Sequence, residues 1–156
     1  MFPRVIKGAG QSLKGQITRM LECEDFKGRW QLSRVITDRY SDQVGTLSGT
    51  ARFDPNGEGA LLYSEVGDLR FGDGPTMVAK RCNRWVFGVS AVDVFFEDGG
   101  AFHSFVPAGQ PQGIDHPCGA DFYQVRYDFL DWPQWQATWQ VSGPRKDYEM
   151  VSQYWR

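Results

Sequence analysis

The 156-residue sequence has few cysteines, few histidines and no excess of positive charge. The three cysteines are Cys23, Cys82 and Cys118, an odd number at wide spacings, which excludes a disulfide framework and makes a reducing, cytoplasmic compartment the expected one. Lys+Arg 17 against Asp+Glu 19 leaves a net charge of -2, so no nucleic-acid partner is expected, because the phosphate backbone demands a basic surface. No apolar run is long enough to cross a bilayer as a helix, and no membrane partner is expected. The first twenty residues are basic but lack the apolar core of a secretory signal. Serine-nucleophile and phosphate-loop patterns are missing as well. Helical periodicity is almost absent.

Aromatic residues and turns are plentiful. Aromatics make up 15% of the chain, which argues for a folded domain with a substantial core. Turn clusters recur at short intervals: Tyr40-Ser41-Asp42, Pro55-Asn56-Gly57, Gly72-Asp73-Gly74-Pro75, Asp98-Gly99-Gly100, Asp131-Trp132-Pro133 and Gly143-Pro144. Between them the apolar residues alternate with period two, giving about eight to ten strand segments. Short connections favour antiparallel neighbours, and closure removes exposed edges. The fold expected is all-β, a single antiparallel up-and-down barrel with a short N-terminal helical segment; a two-sheet sandwich is the alternative. Residues 1–22 are expected to form an arm or short helix, with helical turns near Ser12 to Leu21 and Glu24 to Gly28, and residues 23–156 the barrel. Met20 is a second candidate start.

Alternation assigns the inner face. It carries Trp30, Leu32, Arg34 and Ile36 on the first strand, and Leu47, Gly49, Ala51 and Phe53 on the second. The third brings Tyr63, Glu65, Gly67 and Leu69, and the fourth Ala79, Arg81, Asn83 and Trp85. Later strands add Asp121, Tyr123, Val125 and Tyr127, then Trp135 to Val141, then Tyr148, Met150, Ser152 and Tyr154.

Gly28-Arg29-Trp30, opening the first strand after a turn, resembles the Gly-x-Trp with which lipocalins and other calycins enter the barrel. That resemblance implies that Trp30 packs under the barrel and that a basic side chain near the last strand, Arg145 or Lys146, covers it through a cation–π contact. A wider set of runs covers nearly the whole chain after Met20. It comprises Trp30-x-Leu-x-Arg34, Tyr63-x-Glu65-x-Gly67, Phe102-His103, His116-x-Cys118-x-x-Asp121-x-Tyr123 and Gly143-Pro144-Arg145-Lys146-Asp147-Tyr148. These runs resemble a small uncharacterised family, a domain of unknown function with a calycin-like barrel. It implies no substrate and no activity.

The inner face is not uniformly apolar. Arg34, Tyr63, Glu65, Arg81, His103, Asp121 and Tyr123 are the expected ligand-binding set, one connected network near the end covered by the long Pro107 to Gly119 loop, itself a candidate lid. Buried charges must pair or face a wet cavity. Two readings fit. In one, Arg34 and Arg81 pair with Glu65 and Asp121 and hold the barrel closed. In the other, a guanidinium meets a ligand carboxylate or phosphate. The function expected is a cytosolic binding protein for a small polar or amphipathic anionic molecule. Enzymes of isomerase, cyclase or hydrolase type form one alternative, with His103, Asp121 and Tyr123 moving a proton or Cys118 acting as nucleophile beside His116 or His103. Metal or haem binding through His103, His116, Cys118 and Asp121 is another, although this spacing matches no standard zinc pattern. No catalytic residue, metal or cofactor is assigned. Tyr154 and Trp155 are expected to be exposed, which suggests a homodimer.

Overall fold

The computed structural model describes residues 19–115 and 119–156; the expected arm, the helix near Ser12, His116 and Cys118 lie wholly or largely outside them. One helical turn, α1 (Cys23–Phe26), precedes ten strands. These are β1 (Gly28–Asp38), β2 (Gln43–Pro55), β3 (Ala60–Phe71), β4 (Met77–Phe87) and β5 (Val92–Phe96), then β6 (Ala101–Phe105), β7 (Ile114–Asp115), β8 (Phe122–Asp128), β9 (Trp135–Gly143) and β10 (Lys146–Trp155). They form one antiparallel sheet in the order β7-β6-β5-β4-β3-β2-β1-β10-β9-β8. A single continuous sheet excludes the sandwich.

The sheet curls until its two edges meet. Tyr127 N–H donates to the Pro111 carbonyl (3.0 Å), Phe129 N–H to that of Gly109 (2.8 Å), and Gly113 N–H to that of Val125 (2.8 Å). The 109–113 part of the supposed lid is therefore a stave of the wall. Its Gly and Pro residues, which read as turn formers, hid it from a strand pattern.

Alternation holds along the long strands. In β3, Leu61, Tyr63 and Glu65 are buried while Leu62 and Val66 face solvent. The inner face of β2 narrows to Gly49 and Ala51 between β1 and β3. A Cβ on Gly49 would lie 2.0 Å from the Val66 carbonyl oxygen, so only glycine permits this close approach. At β5 the register shifts between Val94 and Phe95. This bulge breaks the alternation of β6, and Phe102 and His103 are both buried.

One end of the barrel is sealed by aromatic rings. Phe26, brought in by α1, is fully buried against Phe53, Trp85, Phe129, Trp132 and Trp135, with ring centroids 5.0 to 5.9 Å apart. Trp30 donates its indole N–H to the Phe26 carbonyl (2.8 Å). As the Gly-x-Trp resemblance implied, Trp30 lies beneath the barrel, but its cover is Arg156. The Arg156 guanidinium sits 3.9 Å from the Trp30 ring centroid and donates to the carbonyls of Lys27 (2.7 Å) and Asp25 (2.8 Å). Arg145 is exposed at the opposite end of β10. Tyr154, expected to be exposed, is buried with its ring stacked 3.8 Å from Trp135; Trp155 is 40% exposed.

Candidate functional site

Above the aromatic seal lies a belt of polar side chains. Arg34 and Ser152 are cross-strand partners on β1 and β10, and Glu65 and Arg81 are partners on β3 and β4. The bare stretch of β2 at Gly49 and Ala51 leaves room for Arg34 to reach across it to Glu65. The result is a two-pronged ion pair, with Nη1 to Oε1 at 2.7 Å and Nη2 to Oε2 at 2.8 Å. Arg34 Nε donates to Ser152 Oγ (2.6 Å). The Tyr63 hydroxyl also donates to Glu65 and lies 2.8 Å from the Tyr154 hydroxyl.

This network carries two guanidiniums and one carboxylate. Burial alone would raise the Glu65 pKa, but the Arg81 charge and the Arg34 hydrogen bonds outweigh it and hold the value at about 2. Burial likewise works against the Arg34 charge, and the bond to Glu65 overcomes it. Burial pushes the Tyr63 and Tyr127 phenols well above their ordinary range, so both are neutral. The belt therefore has a surplus of one positive charge.

That surplus is on Arg81. Glu65 is already saturated by Arg34 and Tyr63, and its side chain is only 4% exposed. Arg81 reaches it through a single 3.4 Å contact and remains 32% exposed. The Arg81 Nε–H is buried and has no hydrogen-bond partner among the described residues. Beside it is a cavity of about 20 Å³, lined among others by Tyr63, Asn83, His103 and Tyr127. A space of that size holds about one water molecule. The centre of the barrel is thus too full for a ligand.

Among the described residues, the end opposite the seal is the less covered one. Ile36, Leu69, Ala79, Phe96, Tyr123 and Met150 occupy inner-face positions but are only partly buried. Phe102 and Trp139 stack 5.0 Å apart on one wall, and Phe102 stacks on Phe96 at 4.1 Å. The mouth is an apolar, largely aromatic cup with Arg81 below it.

The expected site residues fall into three groups rather than one network. Arg34, Tyr63, Glu65 and Arg81 are joined, with Ser152 and Tyr154 as members that the site expectation omitted. His103 is fully buried and bonds through Nε2 to the Tyr127 hydroxyl (2.8 Å), on the far wall of the small cavity. Asp121 does not pair with either arginine. It accepts from Lys146 Nζ (2.8 Å), whose ammonium lies 5.9 Å from the Tyr123 ring centroid at the rim. Among the described residues no cluster of three or more His, Cys, Asp or Glu side chains is placed to hold a metal. Cys23 and Cys82 are free thiols. No helix among the described residues is long and apolar enough to cross a membrane.

Solved structures similar in fold include the following two. The S-type phycobiliprotein lyase CPES from Guillardia theta superposes with a TM-score of 0.69 at 10% identity, over 92% of this chain and 96% of that one. A protein of unknown function from the DUF3598 family of Nostoc punctiforme PCC 73102 gives 0.57 at 13% identity, over 86% of this chain. The match takes in 48% of the Nostoc protein, so the chain spans about half its length. No curated protein matches by sequence. Residues 26–156 match the model of the Family of unknown function (DUF6314), and the chain belongs to that family.

Proposed function

We propose that this chain is a small-molecule binding protein whose open barrel end holds an anionic ligand with a flat apolar body. The observation that carries the reading is the unbalanced guanidinium of Arg81 under an aromatic cup. Arg34 is consumed by Glu65, whereas Arg81 keeps donors free and partly solvated. A carboxylate, sulfonate or phosphate entering from the mouth would accept from Arg81, while its body packs on Phe96, Phe102, Tyr123 and Met150. The filled centre limits how deep it goes. The rim ammonium of Lys146 adds attraction at entry, and Asp121 moderates it. The similar fold in Guillardia theta is that of a phycobiliprotein lyase.

A pair of fluorescent probes tests the reading. 1-Anilinonaphthalene-8-sulfonate and N-phenyl-1-naphthylamine share an aromatic body, but only the first is charged. The sulfonate should bind saturably and at least about tenfold more tightly, the worth of one charge-assisted hydrogen bond. Equal affinities, or a preference for the neutral amine, would refute an anion site.

A further inference from the structure

The outer wall carries a second feature, independent of the mouth. Seven of the chain's glutamines border two adjoining grooves over β8, β9, β10 and the 109–113 stave. The larger, about 560 Å³, is lined by Gln110, Gln112, Gln124, Gln136 and Gln140, with Arg126 and Thr138. The smaller, about 450 Å³, is lined by Gln134, Gln136 and Gln153, with Asp131 and Trp155. Asp128 and Gln136 belong to both, so the grooves form one trough.

Sheet register sets the spacing of these amides. Gln124 lies directly opposite Gln140, and Gln136 opposite Gln153. Directly opposed side chains stand about 4.5–5.5 Å apart at Cβ. Some amides are engaged: Gln110 donates to Asp128 at 3.1 Å, Gln153 to Gln136 at 3.5 Å, Gln136 to Thr138 at 3.5 Å, and Gln140 to Glu149 at 2.8 Å, which leaves the Gln140 amide oxygen to accept. Those of Gln112, Gln124 and Gln134 have no side-chain partner among the described residues. Trp155 closes one end with its ring partly exposed, opposite Gln31 on β1.

We infer that this trough binds a neutral carbohydrate chain. A primary amide both donates and accepts, as a sugar hydroxyl does, and it carries no charge to desolvate. Rows of amides offer such pairing along an extended polyhydroxyl ligand. The Trp155 ring supplies a flat apolar face for the C–H side of a pyranose. Charge points the same way. Arg126 shares the lining with Asp128 and Asp131, so the trough has no cationic surplus with which to draw a polyanion.

The test is affinity electrophoresis of the full chain in native gels containing dextran, soluble starch, xylan or mixed-linkage β-glucan, with heparin as the charged comparison. Retardation by at least one neutral polymer is expected, and Gln124→Ala/Gln140→Ala should weaken it at least tenfold. Trp155→Ala, a separate variant at the other end, should weaken it about fivefold or more. All three side chains point outward, and unchanged thermal melting would show that the fold is kept. Arg81→Met should leave the retardation unaltered, which separates this trough from the mouth. No retardation by any neutral polymer, retardation by heparin alone, or retardation unaffected by both variants would overturn the inference.

Discussion

The two ends of this barrel are built from the same strands and do opposite things. At the sealed end large rings dominate the inner face, with Leu61 and Val92 between them, and Phe26 comes in from α1 to fill the space they leave. At the open end the inner-face residues are aromatic or aliphatic too, yet they stay partly exposed because no segment among the described residues plugs them. The belt between them explains the asymmetry. Arg34 and Glu65 neutralise one another below the belt's surface, while Arg81 faces the solvent side with charge to spare. Stability rests on the sealed end, and the binding site we propose lies at the other.

Breaking the sealed end should have the largest effect on stability. Trp30→Ala removes a fully buried ring, its bond to the Phe26 carbonyl and its contact with Arg156. A loss of about 3–5 kcal/mol is expected in urea denaturation, with sulfonate-probe affinity unchanged in the fraction that remains folded. A parallel loss of affinity would show that the two ends are coupled. Arg34→Met attacks the belt from below. It leaves the buried Glu65 carboxylate with the Tyr63 hydroxyl and the long Arg81 contact, at a cost of about 3 kcal/mol at neutral pH.

The belt also predicts an acid limit. The folded Glu65 pKa is about 2 against an ordinary value of 4.5, so its contribution is complete above pH 4.5 and is lost as pH falls toward 2. The amount at stake is about 3 kcal/mol. Urea midpoints measured from pH 6 to 2 should fall through this window, and the fall should flatten in Glu65→Gln. Arg156→Met is smaller again. It removes one cation–π contact and two hydrogen bonds at a partly exposed site, and a loss of about 1–2 kcal/mol in the same assay is expected.

Much of this was legible because a strand side chain has only two directions. Period two alone placed Arg34, Tyr63, Glu65 and Arg81 inside, and strand pairing then decided which of them meet. The same rule buries Tyr154, on the face of Tyr148, Met150 and Ser152, although its place near the chain end suggested exposure. The cover on Trp30 was also deducible. Antiparallel pairing sets Gln31 opposite Trp155, whereas Arg145 lies about 30 Å away along β10 at roughly 3.3 Å per residue. What alternation does not encode is a change of phase. Opposite Val94 and Phe95 the register skips Phe102, which turns inward, and no local signal marks this bulge. Nor does alternation show that Asp121 meets Lys146, because both sit where the β7–β8 and β9–β10 connections come together at the rim.

The comparison of the two ends is tested most directly by Arg81→Met, with thermal melting and 1-anilinonaphthalene-8-sulfonate binding measured on the same sample. Arg81 makes one long contact to a carboxylate that Arg34 and Tyr63 already bond, so, although its charge helps to keep Glu65 ionised, its loss should cost about 1–2 kcal/mol, less than that of Arg34. The account predicts a melting temperature lowered by no more than several degrees and sulfonate affinity at least about tenfold weaker. A collapse in melting temperature with affinity intact would contradict it, and would make Arg81 a structural partner of Glu65 rather than the floor of a binding site.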